Sequence, residues 1–221
     1  MTQNKLARNN IILLICLLIT ILLFPVLSVH KKLLRDLIFT AIIVSGCFSL
    51  GFRSKTRRIL IASGAVPVFL TWLSHFITND LIRLAFFLSF FCFNVFITVF
   101  MIQHIFRSKQ VTGTIIINSI NCYLLIGVLG AVLLAMTEIL EKFVFQSGTA
   151  AINFAGNTAE GFHDFLYFSF VTLSTLGYGD ITPVSSIAKS ITLVIAITGQ
   201  LFLAILVAGL VGKYLSRSEK D

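Results

Sequence analysis

The chain has 221 residues, of which 57% are hydrophobic and only 12% charged, and its formal net charge is +8. A water-soluble domain carries about a quarter of its residues as Asp, Glu, Lys or Arg, so this composition excludes an ordinary soluble enzyme and leaves lipid to cover the apolar excess. The positive charge sits in short clusters between apolar runs, as in loops flanking membrane spans, and not on a face that would grip nucleic acid.

A helix needs about 20 apolar residues to cross roughly 30 Å of hydrocarbon. Six runs are read as spans: 11–29, 33–52, 59–78, 81–106, 114–143 and 187–214. The first follows Lys5 and Arg8, as in a signal peptide, but no A-x-A-like cleavage site follows it, and it is read as retained. The second is the weakest, because Arg35 and Asp36 leave a purely apolar stretch only over 37–52. The basic string over 53–58 (RSKTRR) lacks three-residue spacing and reads as a topology-setting loop that can meet anionic head groups. Pro67, beside Gly64, predicts a bend in the third run. The fourth run holds Arg83 near one end and no other Lys or Arg. One charge moved through the membrane field is worth about 2.3 kcal/mol per 100 mV, against three or four charges per subunit in a steep sensor, so steep voltage gating is not expected.

His75, Asn94, Gln103, His104, Asn118 and Asn121 fall within these runs and are expected to hydrogen-bond between helices. Cys16, Cys47, Cys92 and Cys122 also lie inside apolar runs, which predicts no disulfide and no structural metal site. Most of the 17 basic residues fall on one side if the N-terminus is cytoplasmic. That side holds Lys5, Arg8, the string over 53–58, Arg107, Lys109, Lys213, Arg217 and Lys220, whereas Lys31, Lys32, Arg35, Arg83, Lys142 and Lys189 lie opposite. Both termini are then cytoplasmic. The lack of N-x-S/T sequons points to a bacterial inner membrane, and the short tail beyond the last run predicts no regulatory domain there.

Residues 144–161 are small and turn-prone and read as an extracytoplasmic turret. The run 162–174 is too short to span and fits a re-entrant helix. His163 and Asp164 open it. The carboxylate suits the helix dipole, and His163 is read as a surface cap in preference to a zinc or proton site. Then comes a break, Thr175-Leu176-Gly177-Tyr178-Gly179-Asp180. Non-helical backbone at membrane depth is tolerated only inside protein or along a water-filled path. The alternating glycines permit positive φ and so let successive carbonyls point to one side. A ring of such carbonyls can replace the hydration shell of a potassium ion. Thr175 adds a hydroxyl at the inner end, Leu176 and Tyr178 turn away into a supporting cuff, and Asp180 raises cation concentration at the outer mouth.

The segment FSFVTLSTLGYGDITP over 168–183, with Thr172-x-x-Thr175-x-Gly177-Tyr178-Gly179-Asp180 inside it, resembles the pore helix and selectivity filter of tetrameric potassium channels. GQLFLAILVAGLVG over 199–212 is similar to the inner helix of bacterial members, so the likeness covers roughly the last third of the chain. The resemblance implies an all-α membrane protein with six transmembrane helices, a re-entrant pore helix and a filter. It divides the chain into a four-helix, voltage-sensor-like domain over 1–110, without the arginine ladder, and a pore domain over 111–221. Potassium ions would bind at Thr175, Leu176, Gly177, Tyr178 and Gly179. One motif per chain requires four copies around the ring, hence a homotetramer with four-fold symmetry.

Tyr167, Thr172 and Ser174 would support the filter, with a Tyr167–Asp180 hydrogen bond and simple packing as the two readings of Tyr167. Val171 stands where some relatives carry glutamate, which removes one buried carboxyl pairing. Gly199 would be the inner-helix hinge, a close-packing site being the alternative. Leu203, Leu206, Val207 and Leu210 are the candidate dewetting gate.

The function expected is passive potassium-selective conduction, with no catalytic residues, no cofactor beyond the ions, and no partners beyond further copies and membrane lipid. The alternatives are a non-selective cation channel and a subunit of a potassium transport system. Tyr178 argues against the first, and the single filter loop argues against the second. No H-E-x-x-H, paired carboxylate or Ser/His arrangement suggests an enzyme.

Overall fold

The structure is a computed structural model that describes residues 3–27, 32–49, 54–76, 79–108, 110–143, 150–154 and 161–218. In chain order these form α1 (Gln3–Leu27), α2 (Lys32–Ser49), α3 (Ser54–Phe76), α4 (Asp80–Arg107), α5 (Gly113–Phe143), β1 (Ile152–Phe154), α6 (Phe162–Leu173), β2 (Ile181–Pro183) and α7 (Ser186–Ser218). By length and composition, α4, α5 and α7 can each cross a membrane. Shorter apolar stretches, Leu6–Leu22, Asp36–Ser49 and Arg58–Ser74, lie in α1, α2 and α3. Most of the turret, and the basic string except Arg58, fall outside the described residues or side chains.

One expectation needs correction. The chain is mostly helical but not all-α, because β1 and β2 pair antiparallel, with Ile152 opposite Pro183 and Phe154 opposite Ile181. Ile152 and Phe154 are buried while Asn153 between them is exposed, which is the period of a strand. Three residues among turn formers are too few for that period to register in a sequence. The carboxylate of Glu138, near the end of α5, accepts the Ala151 N–H at 3.0 Å and so anchors the strand to the helix. Asp36, at the start of the apolar stretch of α2, is only 1% exposed.

Among the described residues, a core runs through both halves of the chain, from Leu13 and Leu17 of α1 and Phe90 and Phe93 of α4 to Leu125 and Leu134 of α5 and Ile195 of α7. Helix α5 is its axis, since α1, α4, α6 and α7 all pack on it. Lipid tails give apolar helices no reason to associate, so close approach between small residues has to do it. Gly127 and Gly130 serve that purpose on α5, where a Cβ would overlap the Phe170 ring and the Ser169 hydroxyl of α6. Asn121 Nδ2 donates to the Asn10 carbonyl at 2.9 Å and links α5 to α1, as intramembrane amides are expected to do. Asn94 departs from that expectation by donating to Phe90 of its own helix at 2.8 Å. Pro67 lies inside α3, and none of the four cysteines is paired.

Candidate functional site

Helix α6 has 12 residues, too few to span. At its start, Asp164 Oδ2 accepts the Gly161 N–H at 3.3 Å, and Asp164 Oδ1 lies 3.4 Å from His163 Nε2. Helix α6 is pinned to α5 by Ser169, whose fully buried Oγ donates to the Gly127 carbonyl at 2.7 Å. The hydroxyl of Tyr123 reaches the Leu173 carbonyl at 3.5 Å.

The backbone then turns at Ser174, whose N–H and Oγ both bond the Phe170 carbonyl, at 2.9 and 2.7 Å. The next amides also point back at α6. Thr175 N–H donates to Thr172 at 3.0 Å, while Leu176 and Gly177 share the Val171 carbonyl at 3.0 and 3.4 Å. Every second residue is left-handed: Thr175 has φ 61°, Gly177 55° and Gly179 78°. Backbone alternating in this way turns successive carbonyls toward one side. With the amides of 175–177 occupied, it can offer a row of oxygens to a cation that sheds its water.

The glycines behave as their spacing suggests. The left-handed φ of Thr175 is what sequence reasoning missed, because a β-branched residue at positive φ is strained and nothing in the motif announces it. Gln200 was missed as well. Its Nε2 lies 3.4 Å from Thr175 Oγ1 and brings α7 to the inner end of the break.

Leu176 and Tyr178 remain 59% and 68% exposed, so the cuff expected around them is not built from their own chain. Asp180 is held from both sides, Oδ2 by the Tyr167 hydroxyl at 2.7 Å and Oδ1 by the Ile181 N–H at 3.0 Å. Of the two readings of Tyr167, the hydrogen bond is the one present, and it forms within one chain. It lowers the Asp180 pKa and pushes Tyr167 up to about 12, since each partner prefers the state that keeps the bond.

On α7, Gly199 lies against the end of α6. A Cβ there would overlap the Leu173 carbonyl oxygen and sit 2.9 Å from Leu173 Cδ1. The helix runs unbroken through this point, and the close approach is the packing reading of this glycine. The four candidate gate residues divide. Leu203 and Val207 face an open groove together with Gln200, Ala204 and Val211. Leu206 and Leu210 instead are partly buried and pack against the chain's own core. Only 11% of the apolar stretch of α7 is buried, against 44% in α4 and 56% in α5. Among the described residues, no three His, Cys, Asp or Glu side chains gather to hold a metal ion.

Residues 123–216, from mid-α5 to the end of α7, match a protein family described as "Ion channel". Over 89 residues the chain is 40% identical to Two-pore potassium channel 4 of Arabidopsis thaliana, a match covering 39% of this chain and 31% of that protein. It is 43% identical over 56 residues to Two-pore potassium channel 3 of the same plant, covering 25% and 13%. It is 45% identical over 56 residues to Two pore potassium channel c of Oryza sativa subsp. japonica, covering 25% and 12%. The chain thus spans less than a third of the length of these relatives. No solved structure matches it.

Proposed function

We propose that four copies of this chain form a potassium-selective channel that passes ions down their gradient, with no catalytic chemistry. The observation that carries the reading is the alternation of left-handed backbone at Thr175, Gly177 and Gly179, with the amides of 175–177 tied back to α6. Carbonyls of Thr175, Leu176, Gly177, Tyr178 and Gly179 line the ion path, and Asp180 stands at its outer mouth. Tyr167, Thr172 and Ser174 hold this segment on α6. The similarity of residues 123–216 to ion channels, and of part of the chain to proteins named potassium channels, supports the same reading.

Four copies are needed because each supplies one motif. The exposed side chains of Leu176 and Tyr178 and the uncovered surface of α7 are what neighbouring copies would bury. Six helices per chain cross the membrane, with both termini cytoplasmic, and a bacterial inner membrane suits the absence of sequons. The helices before residue 110 resemble a voltage sensor in number only. Arg83 of α4 sits 3.3 Å from Asp80 at the start of the helix and is exposed, so it is poorly placed to carry charge through the field.

The test is potassium efflux from liposomes containing the purified chain, compared with Gly177→Ala. Alanine is strained at φ 55°, so the variant should assemble as tetramers by native mass spectrometry yet lose efflux. Equal efflux from both proteins would refute the filter assignment.

A further inference from the structure

We propose that Lys213 is a positioning residue for the pore, holding the lower half of α7 against α4 and away from the groove lined by Leu203 and Val207. The inference rests on the channel reading above for its functional consequence, but its structural part stands on contacts alone.

The last four carbonyls of an α-helix have no partner within the helix. In α4, Ser108 N–H takes the His104 carbonyl at 3.2 Å. The next two carbonyls are taken by a residue more than a hundred positions away: Lys213 Nζ donates to Ile105 at 2.8 Å and to Phe106 at 3.2 Å. A cation at this end also meets the negative pole of the helix dipole. The same ammonium lies 6.0 Å from the centre of the Phe106 ring, within reach of a cation–π contact. One turn earlier, Gly209 brings the α7 backbone up to that ring, where a Cβ would sit 3.5 Å from Phe106 Cε1.

Direction gives the contact its consequence. At 100° per residue, Lys213 lies nearly opposite the face of α7 that carries Ala204, Val207 and Val211. Its pull is therefore away from the groove and toward the front helices. A lysine at a span end ordinarily reaches for head groups, whereas this one turns onto a neighbouring helix. The fourth helix, which has no arginine ladder, thereby gains a direct mechanical hold on the inner helix that bypasses the connection to α5.

The experiment uses the full chain in lipid bilayers, with Lys213→Met to remove the cation and keep the stem, and Lys213→Arg to keep cationic donors. Hydrogen exchange is read at the last turn of α4 and at residues 209–213, and needs no current. In Lys213→Met, exchange there should rise, and single-channel open probability should fall about fivefold, the worth of one cation at a helix C-terminus. Unitary conductance and reversal potential should not change, and Lys213→Arg should restore both readouts. If the Met variant does not assemble, Lys213→Gln takes its place with the same expectations. Unchanged exchange would overturn the contact. Unchanged or raised open probability would overturn the positioning role, even if exchange rose. If the wild-type protein passes no current, the channel reading fails while the exchange result still decides the contact.

Discussion

The hydroxyl of Tyr167 donates to Asp180 Oδ2 at 2.7 Å, joining the middle of α6 to the residue that ends the break. Asp180 is thereby held below its ordinary pKa, so its carboxylate persists to lower pH than a free aspartate, whose value is about 3.9. The sign follows from linkage. A lowered carboxylate pKa contributes stability above the ordinary value and loses it as pH falls through the lowered one. In Tyr167→Phe the bond is gone and Asp180 protonates at higher pH. Acidifying the outer solution during single-channel recording should reduce inward potassium current at a higher pH in the variant than in the wild type. Coincident titrations would show that the bond does not govern the charge at the mouth.

Gly199→Ala separates close packing from bending. Alanine is favoured over glycine in a helix by about 1 kcal/mol, so a freely placed glycine would yield a more stable protein. Here the Cβ meets the Leu173 carbonyl, and overpacking of this kind costs about 1–3 kcal/mol. Thermal unfolding in detergent should show Gly199→Ala less stable than the wild type. A more stable variant with altered gating would favour the hinge.

Ser169→Ala removes the buried hydrogen bond that pins α6 to Gly127 of α5. Bonds of this type within membranes are worth roughly 1 kcal/mol, and the Gly127 carbonyl keeps its own partner within α5. A small but measurable loss of thermal stability is expected, without loss of secondary structure by circular dichroism.

The division of the gate candidates is open to chemical modification. Cysteines placed singly at Leu203 and Val207, in a background lacking the native thiols, should react with a membrane-impermeant thiol reagent added from the cytoplasmic side. Cysteines at Leu206 and Leu210 should be protected by the core they pack against. Equal labelling at all four positions would mean that α7 is turned differently in the membrane.

How much of this was readable from the residues depends on how local each cause is. The short helix before the break, the glycine alternation and the role of Asp164 at the start of α6 come from near neighbours, and all were legible. The strands β1 and β2 were not, because their pairing joins residues on either side of α6 and each strand is only three residues long. The left-handed Thr175 was hidden because the tight turn after α6, not its own type, sets its conformation. The packing of Leu206 against the core depends on elements distant in the chain, and the Lys213 contact joins helices far apart in the chain. Asp36 was read as weakening the second run, and its burial depends on how the helices pack.

The central claim is that the backbone over 175–179 selects potassium. The most direct test is the reversal potential of the reconstituted protein with potassium on one side of a planar bilayer and sodium on the other. The account predicts a large displacement from zero, toward the potassium equilibrium value, that collapses in Tyr178→Ala. A wild-type reversal near zero with sustained current would contradict it, showing a cation pore in which these carbonyls do not discriminate.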